Sequence, residues 1–204
     1  MSEPAPSPND VPIVNMLGER VALGPLRRDL LPTYHRWLND YLSQALGGFP
    51  EPVQPWTIER RTAWYEGATS RPGAAWYTVY EVAGWRPVGH CNLRDFDFQH
   101  GTAELGLTIG EAARRGQGLG TEASRLLLDY AFTALGLRNV WLDVFEFNVA
   151  AYRAYVKAGF REIGRRRGCH HMGGRWWDLI LMDAIAAEFT SPVLRQVLPI
   201  EDRA

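Results

Sequence analysis

Residues 112–123 read AARRGQGLGTEA: two adjacent arginines, then three glycines at alternate positions, directly before a helical stretch. Upstream, GTAELGLTIG (101–110) alternates Ala103, Leu105, Leu107 and Ile109 with Thr102, Glu104, Gly106 and Thr108, which is the period of a strand. Downstream, TEASRLLLDYAFTALG (121–136) puts Ala123, Leu126, Leu127, Tyr130, Ala131 and Ala134 on one helical face, and Gly136 supplies a stop. The order is therefore strand, glycine loop, helix. The first turn of a helix has unpaired N–H groups and the positive end of the dipole, so it attracts phosphate. Glycines let the backbone turn and approach a ligand with no Cβ in the way, and Arg114 and Arg115 add charge there. The stretch is not a Walker loop, since no Gly-Lys-Ser/Thr ends it. Nor does it follow a first parallel strand with the dinucleotide spacing of glycines. Taken alone, it is equally a flexible surface loop.

The flanking segments supply the rest of the architecture. NVWLDVFEF (139–147) is an apolar strand, and NVAAYRAYVKAG (148–159) a helix with Asn148 at its N-cap and Gly159 at its end. FREIGRRR (160–167) and RWWDLILMD (175–183) form a hairpin around residues 168–174. Before the glycine loop, AAWYTVYEVA (74–83), RPVGHCNLRDFD (86–97) and 101–110 make an antiparallel meander. The chain opens with a strand, ERVALGPL (19–26), and a helix over 27–40 with Pro32 in its first turn. Residues 41–57, with Gly47-Gly48 and three prolines, read as loop, and TIERRTAWYEGAT (57–69) as a second helix. The sum is a mixed sheet with a strand–loop–helix–strand crossover, an α/β or α+β domain.

At 204 residues and 46% hydrophobic content, the chain fits one folded domain. Residues 1–14 are Pro-rich and polar and read as a disordered arm, 15–190 as the domain, and 191–204 as a tail. A net charge of -1 argues against bulk binding to nucleic acid or an anionic membrane. No apolar run reaches membrane-spanning length, and the N-terminus lacks a secretory pattern. Two distant cysteines, Cys91 and Cys169, fit a reducing cytoplasm with no disulfide framework.

The segment NVAAYRAYVKAGF (148–160) resembles the signature N-x-x-A-x-R-x-Y-x-K-x-G-F of the GNAT N-acetyltransferase superfamily, with Asn148, Ala151, Arg153, Tyr155, Lys157, Gly159 and Phe160 in place. Arg115, Gly118 and Gly120 match that superfamily's cofactor loop, and the spacing of the two motifs also matches. VGHCNLRDFD, AELGLTIG, GTEASRLLLDYAF and DLILM look like its ribosomal-protein alanine acetyltransferase (Rim-type) branch, which also contains spermidine and antibiotic acetyltransferases. The resemblance implies a mostly antiparallel mixed sheet of about seven strands with helices on both faces. It also implies acetyl-CoA as co-substrate. The pyrophosphate would lie on the amides of Gln117, Gly118, Leu119, Gly120 and Thr121, and the pantetheine arm against Leu107 and Ile109. Asn148 and Arg153 would reach the cofactor from the other side, Asn148 also serving as a cap. The acceptor would be the amine of a small molecule or a protein N-terminus, and a homodimer stays open. A non-catalytic acyl-CoA-binding domain and a different acyl group, such as succinyl, are the alternatives.

Acetyl transfer to an amine needs a neutral amine, donors for the developing oxyanion and a proton for the leaving thiolate. Tyr155 matches the superfamily's general acid, with core packing as its other reading. For the base the resemblance offers Glu104 first and Asp143 second, with water or another residue also open. His90 is a further proton collector or a structural residue. Cys169-His170-His171 sits in the expected hairpin loop, and three adjacent residues there do not readily converge on a metal. Cys91 shows no adjacent base that would make it a nucleophile. Glu51, Asp95 and Asp97, with Trp56 and Trp64, could hold a cationic amine or simply lie on the surface.

Overall fold

A computed structural model describes residues 11–47, 53–70 and 72–198. Residues 1–10 of the expected arm, Glu51 and residues 199–204 lie outside that description. Eight strands form one sheet: β1 (Met16–Leu17), β2 (Val21–Pro25), β3 (Ala74–Glu81), β4 (Arg86–Asp97), β5 (Thr102–Ile109), β6 (Asn139–Phe145), β7 (Arg161–Met172) and β8 (Arg175–Ile185), in the order β1-β2-β3-β4-β5-β6-β8-β7. The expected meander over β3, β4 and β5 is present and antiparallel. The sheet exceeds the expected seven strands by β1, a two-residue strand too short to leave a periodic signal.

Helices α4 (Leu119–Asp129) and α5 (Val149–Ala158) cover one face. The alternation along each strand puts Val79, Cys91, Leu93, Leu105 and Leu142 into a continuous core with Leu126, Leu127 and Tyr155. Helices α1 (Leu31–Leu38), α2 (Tyr41–Leu46) and α3 (Ile58–Ser70) lie on the other side, where Tyr34, Trp37 and Leu26 form a second cluster with Trp64 and Trp76. Helix α2 falls where a loop was expected. Asp40 caps it, accepting from the Ser43 N–H at 3.2 Å, and the prolines begin only after it ends.

The crossover β5–α4–β6 is parallel, but the two strands pair only through Thr102–Asn139, Ala103–Val140 and Glu104–Trp141. Beyond Glu104 they part. The β7–β8 hairpin is longer than expected and turns at Gly173-Gly174, so Cys169, His170 and His171 belong to a strand rather than a loop. There the His170 ring packs against Phe145, centroids 4.1 Å apart, and His171 against Trp176 at 5.0 Å. A register shift between Arg166 and His170 disguises the strand period in the sequence. Among the described residues no helix is long and apolar enough to cross a membrane.

The expected C-terminal tail starts as helix α6 (Leu194–Val197). Fully buried Asp129 accepts the N–H groups of Val193 at 3.0 Å and Leu194 at 2.8 Å, and the Thr133 hydroxyl at 2.7 Å. Replacing it removes the acceptor for all three donors. Asp129→Ala should therefore lower unfolding stability by about 2 kcal/mol and release residues 193–198 to proteolysis. Urea unfolding and limited proteolysis measure both effects, and Asp129→Asn, which keeps an acceptor oxygen, should lose less.

Candidate active site

The parting of β5 and β6 opens a cavity of about 400 Å³ lined by β5, α2, the glycine loop and α5. The loop gains its path from two left-handed glycines, Gly116 at φ 74 and Gly118 at φ 86, and Gly118 is the N-cap of α4. The helix thus begins two residues earlier than expected, with Gly120 and Thr121 in its first turn. A Cβ on Gly120 would sit 3.4 Å from Leu107 and 3.6 Å from Ile109, so the helix start faces these two strand residues directly.

Of the expected cofactor residues, Leu107, Ile109, Arg115, Gly118, Gly120, Thr121, Asn148 and Arg153 line the cavity, and so does Tyr155. Gln117 and Leu119 do not. The Gln117 side chain turns back to the Ala113 carbonyl at 2.7 Å, and Leu119 is buried in the core, which leaves their backbone amides as the groups available at the helix start. Asn148 acts as the N-cap of α5, accepting from Ala151 N–H at 3.2 Å.

Arg115 is not the free phosphate cation that its place in the loop suggested. Its Nε donates to the Ile109 carbonyl at 2.9 Å. Its Nη2 contacts the Gly110 carbonyl, Asp40 at 3.0 Å and Ser43 at 2.6 Å. It braces the loop to α2. Hydrogen bonds from Ser43 and Arg115 in turn hold the Asp40 carboxyl below the usual range. Arg114 pairs with Glu81 at 3.1 Å. The cavity cations without an ion-pair partner among the described residues are Arg153 and Lys157. Lys157 was visible only as a motif position. Arg20, four strands of sequence away from any motif, holds the Gln117 carbonyl at 2.9 Å.

The carboxylates lie together. Glu104 and Trp141 are register partners, and Asp143 follows two residues later, so Glu104 and Asp143 share the sheet face opposite α4 and α5. Glu104 is buried and paired with Arg94. Burial raises its pKa, Arg94 opposes that rise, and the nearby Asp143 and Asp95 add to it. Asp143 is open to solvent on this face, not buried within its apolar strand, and has no ion-pair partner among the described residues. Its position at the sheet floor still desolvates it enough to raise its pKa, which Arg94 tempers. The Tyr155 hydroxyl has no hydrogen-bond partner among the described residues. Burial, then Asp143, pushes its pKa upward, so it holds its proton throughout the neutral range.

His90 is enclosed by aromatic rings and pushed down to about 3 by burial and Arg61, so it remains neutral and is a poor proton collector. Burial raises the Cys91 thiol, which leaves it inert as a nucleophile. The tryptophans considered for an amine are already stacked by arginines, Arg60 over Trp56 at 3.7 Å and Arg61 over Trp64 at 3.6 Å. Asp97 is engaged with the His100 N–H at 2.9 Å, and Asp95 lies 3.8 Å from Arg94.

Comparison with known proteins agrees with this geometry. The family model described as an acetyltransferase (GNAT) domain matches residues 20–161. The chain is 26% identical over 199 residues to alpha/beta-tubulin-N-acetyltransferase 9 of Mus musculus, covering 92% of this chain and 78% of the relative. It is 32% identical over 95 residues to spermidine N(1)-acetyltransferase of Escherichia coli K12, covering 47% and 50%. The crystal structure of spermidine N-acetyltransferase from Vibrio cholerae with CoA and spermine superposes with a TM-score of 0.74 at 22% identity, covering 84% of this chain and 98% of that one. These relatives are tubulin and spermidine enzymes, and the Rim-type branch expected from the sequence gains no support from them. The chain belongs to the GNAT acetyltransferase family and is an acetyl-CoA-dependent N-acetyltransferase.

Proposed function

We propose that acetyl-CoA occupies the cavity between β5 and β6 and that its acetyl group passes to a primary amine held on the opposite face of the sheet. The observation that carries this reading is the short pairing of β5 with β6. Three residue pairs join them, and residues 105–109 leave a backbone edge open onto the cavity. Such an edge needs hydrogen-bond partners, and an amide-bearing pantetheine arm supplies them beside Leu107 and Ile109. The N–H groups from Gln117 to Thr121 suit the pyrophosphate, and Arg153 and Lys157 suit the remaining phosphate charge. Asn148 frames the inner wall between them. A cytoplasmic setting suits the two free cysteines.

In the transfer, the incoming ammonium gives one proton to a base, and the neutral amine nitrogen bonds to the thioester carbonyl carbon. The carbon–sulfur bond breaks with a proton passing from the acid to the thiolate, and the second N–H proton, lost as the amide forms, restores the acid. Tyr155 is the donor to sulfur, since it lines the cavity and its hydroxyl stays protonated at neutral pH. Of the two carboxylates, Asp143 has lone pairs to spare, whereas Glu104 is engaged by Arg94. This reverses the order in which the sequence offered them. Asp143 takes the amine proton, and Glu104 fixes Arg94 beside it and adds negative potential for the incoming ammonium.

Cofactor binding tests the first part. Gly120→Asp puts a carboxylate against Leu107 and Ile109 at the phosphate end, and calorimetry should show acetyl-CoA affinity falling by at least about tenfold. Retained affinity in a folded Gly120→Asp protein would remove the assignment. Tyr155→Phe should lower kcat by roughly 10- to 1,000-fold with little change in cofactor affinity. The base assignment is read from pH–rate profiles. A base with a raised pKa is active when deprotonated, so kcat/KM should fall as pH drops through a value above the ordinary Asp range. Asp143→Asn should abolish that acid limb, while Glu104→Gln should keep it and lower the plateau. The opposite pattern would return the role to Glu104.

A further inference from the structure

The acceptor side of the sheet contains a group of buried polar atoms with nothing to bond. Arg61 is 2% exposed, and its Nε and Nη2 have no hydrogen-bond partner. No carboxylate among the described residues pairs with it. Its guanidinium lies over Trp64 at 3.6 Å and 5.7 Å from the Tyr34 ring. In the same aromatic cluster the Trp37 Nε1 donor is buried and unpartnered, and so is His90 Nδ1. The His90 ring sits 5.7 Å from Trp64 and 5.9 Å from Trp76. Burying a cation without a counter-ion is costly, and burial here pushes Arg61 down to about 9. Unpaired interior groups in a native protein call for a partner, and this cluster supplies donors almost exclusively.

One step along the sheet the deficit changes sign. His90 pairs in register with Thr108, Asn92 with Gly106 and Arg94 with Glu104, so these rows share one face at intervals of about 7 Å. Asn92 is buried with its Oδ1 unpartnered, an acceptor waiting for a donor. Its amide lies over Gly106, where a Cβ would be 2.9 Å from Nδ2. Glu104 and Asp143 flank this row. The face therefore offers acceptor atoms and carboxylates beside the parted strands, and the His90 row, about 7 Å further along the sheet, leads to the unmatched donors under α1 and α3.

We propose that the acceptor amine of this enzyme also carries a carboxylate, which Arg61 receives with help from Trp37, while the amine rests against Asn92 and Asp143. The inference builds on the acetyl-transfer reading above. It separates this chain from polyamine acetylation, because a second ammonium at the far end would meet a buried, uncompensated guanidinium. The carboxylate restores to Arg61 the charge-assisted hydrogen bonds it lacks.

Three amines of equal chain length decide it: aminohexanoate, hexylamine and diaminohexane, whose far ends are anionic, neutral and cationic. With the wild-type protein, thiol release from acetyl-CoA should give aminohexanoate a kcat/KM about ten- to a hundredfold above the other two. Thermal shift of the CoA-bound protein should rank the three in the same order. Arg61→Met should collapse the preference to about unity, and if that variant does not fold, the wild-type ranking decides alone. Equal acetylation of all three amines, or a preference for diaminohexane, would overturn the carboxylate subsite and leave acetyl transfer standing. Selective stabilisation by aminohexanoate with no thiol released from any amine would keep the subsite and sink the transfer reading. No preference in either measurement would mean that water alone fills the cluster, and the proposal falls.

Discussion

Everything at this site depends on two parallel strands failing to stay together. A parallel ladder normally continues as far as both strands run, because each added residue satisfies buried backbone groups. Here it stops after Glu104 and Trp141. Helices α4 and α5 border the gap, Gly120 facing Leu107 and Ile109 from one side, Asn148 and Tyr155 lining it from the other, with Thr121 joined to the Ala154 carbonyl at 3.3 Å. The cost of the open edge is a set of peptide groups in need of partners. In the proposed reading that deficit is what an extended amide chain would satisfy.

The parting also lets the two faces of the sheet communicate. Elsewhere the sheet separates the α4–α5 core from the α1–α3 cluster. At the wedge, Tyr155 from one side and Asp143 from the other are close enough that the Asp143 charge raises the Tyr155 pKa. In the proposed mechanism the acid for the leaving group and the base for the incoming one therefore come from opposite layers. Burial is the main cause that raises both pKa values, so Tyr155 stays neutral and only Asp143 brings a charge to the gap.

How much of this could be read in the sequence follows from how local each cause is. The meander, the crossover and the motif helix were legible because alternation, capping by Asn148 and the stop at Gly159 are properties of a few neighbouring residues. Helix α2 was missed because its signal, Asp40 before a six-residue helix, is outweighed by Gly47-Gly48 and the prolines that follow. The true length of β7 was hidden by a register shift that breaks the two-residue period. Site residues were legible as positions but not always as roles. Arg115 and Glu104 both stand where the motif suggests, yet each is committed to a partner far away in sequence, Asp40 and Arg94, that no local pattern announces. Arg61 carried no signal at all, since a helical arginine is ordinarily a solvated one.

Gly110 joins these two regions. The Trp37 ring occupies the space a side chain would need, with a Cβ falling 2.3 Å from its atoms, and the carbonyl of the same residue accepts from Arg115 at 3.1 Å. One peptide is thus clamped by the aromatic cluster on one side and by the glycine-loop brace on the other. A side chain at residue 110 would have to displace the indole, and with it disturb the peptide whose carbonyl Arg115 holds. The Gly110 peptide therefore ties the packing of Trp37 to the seating of the Arg115 brace.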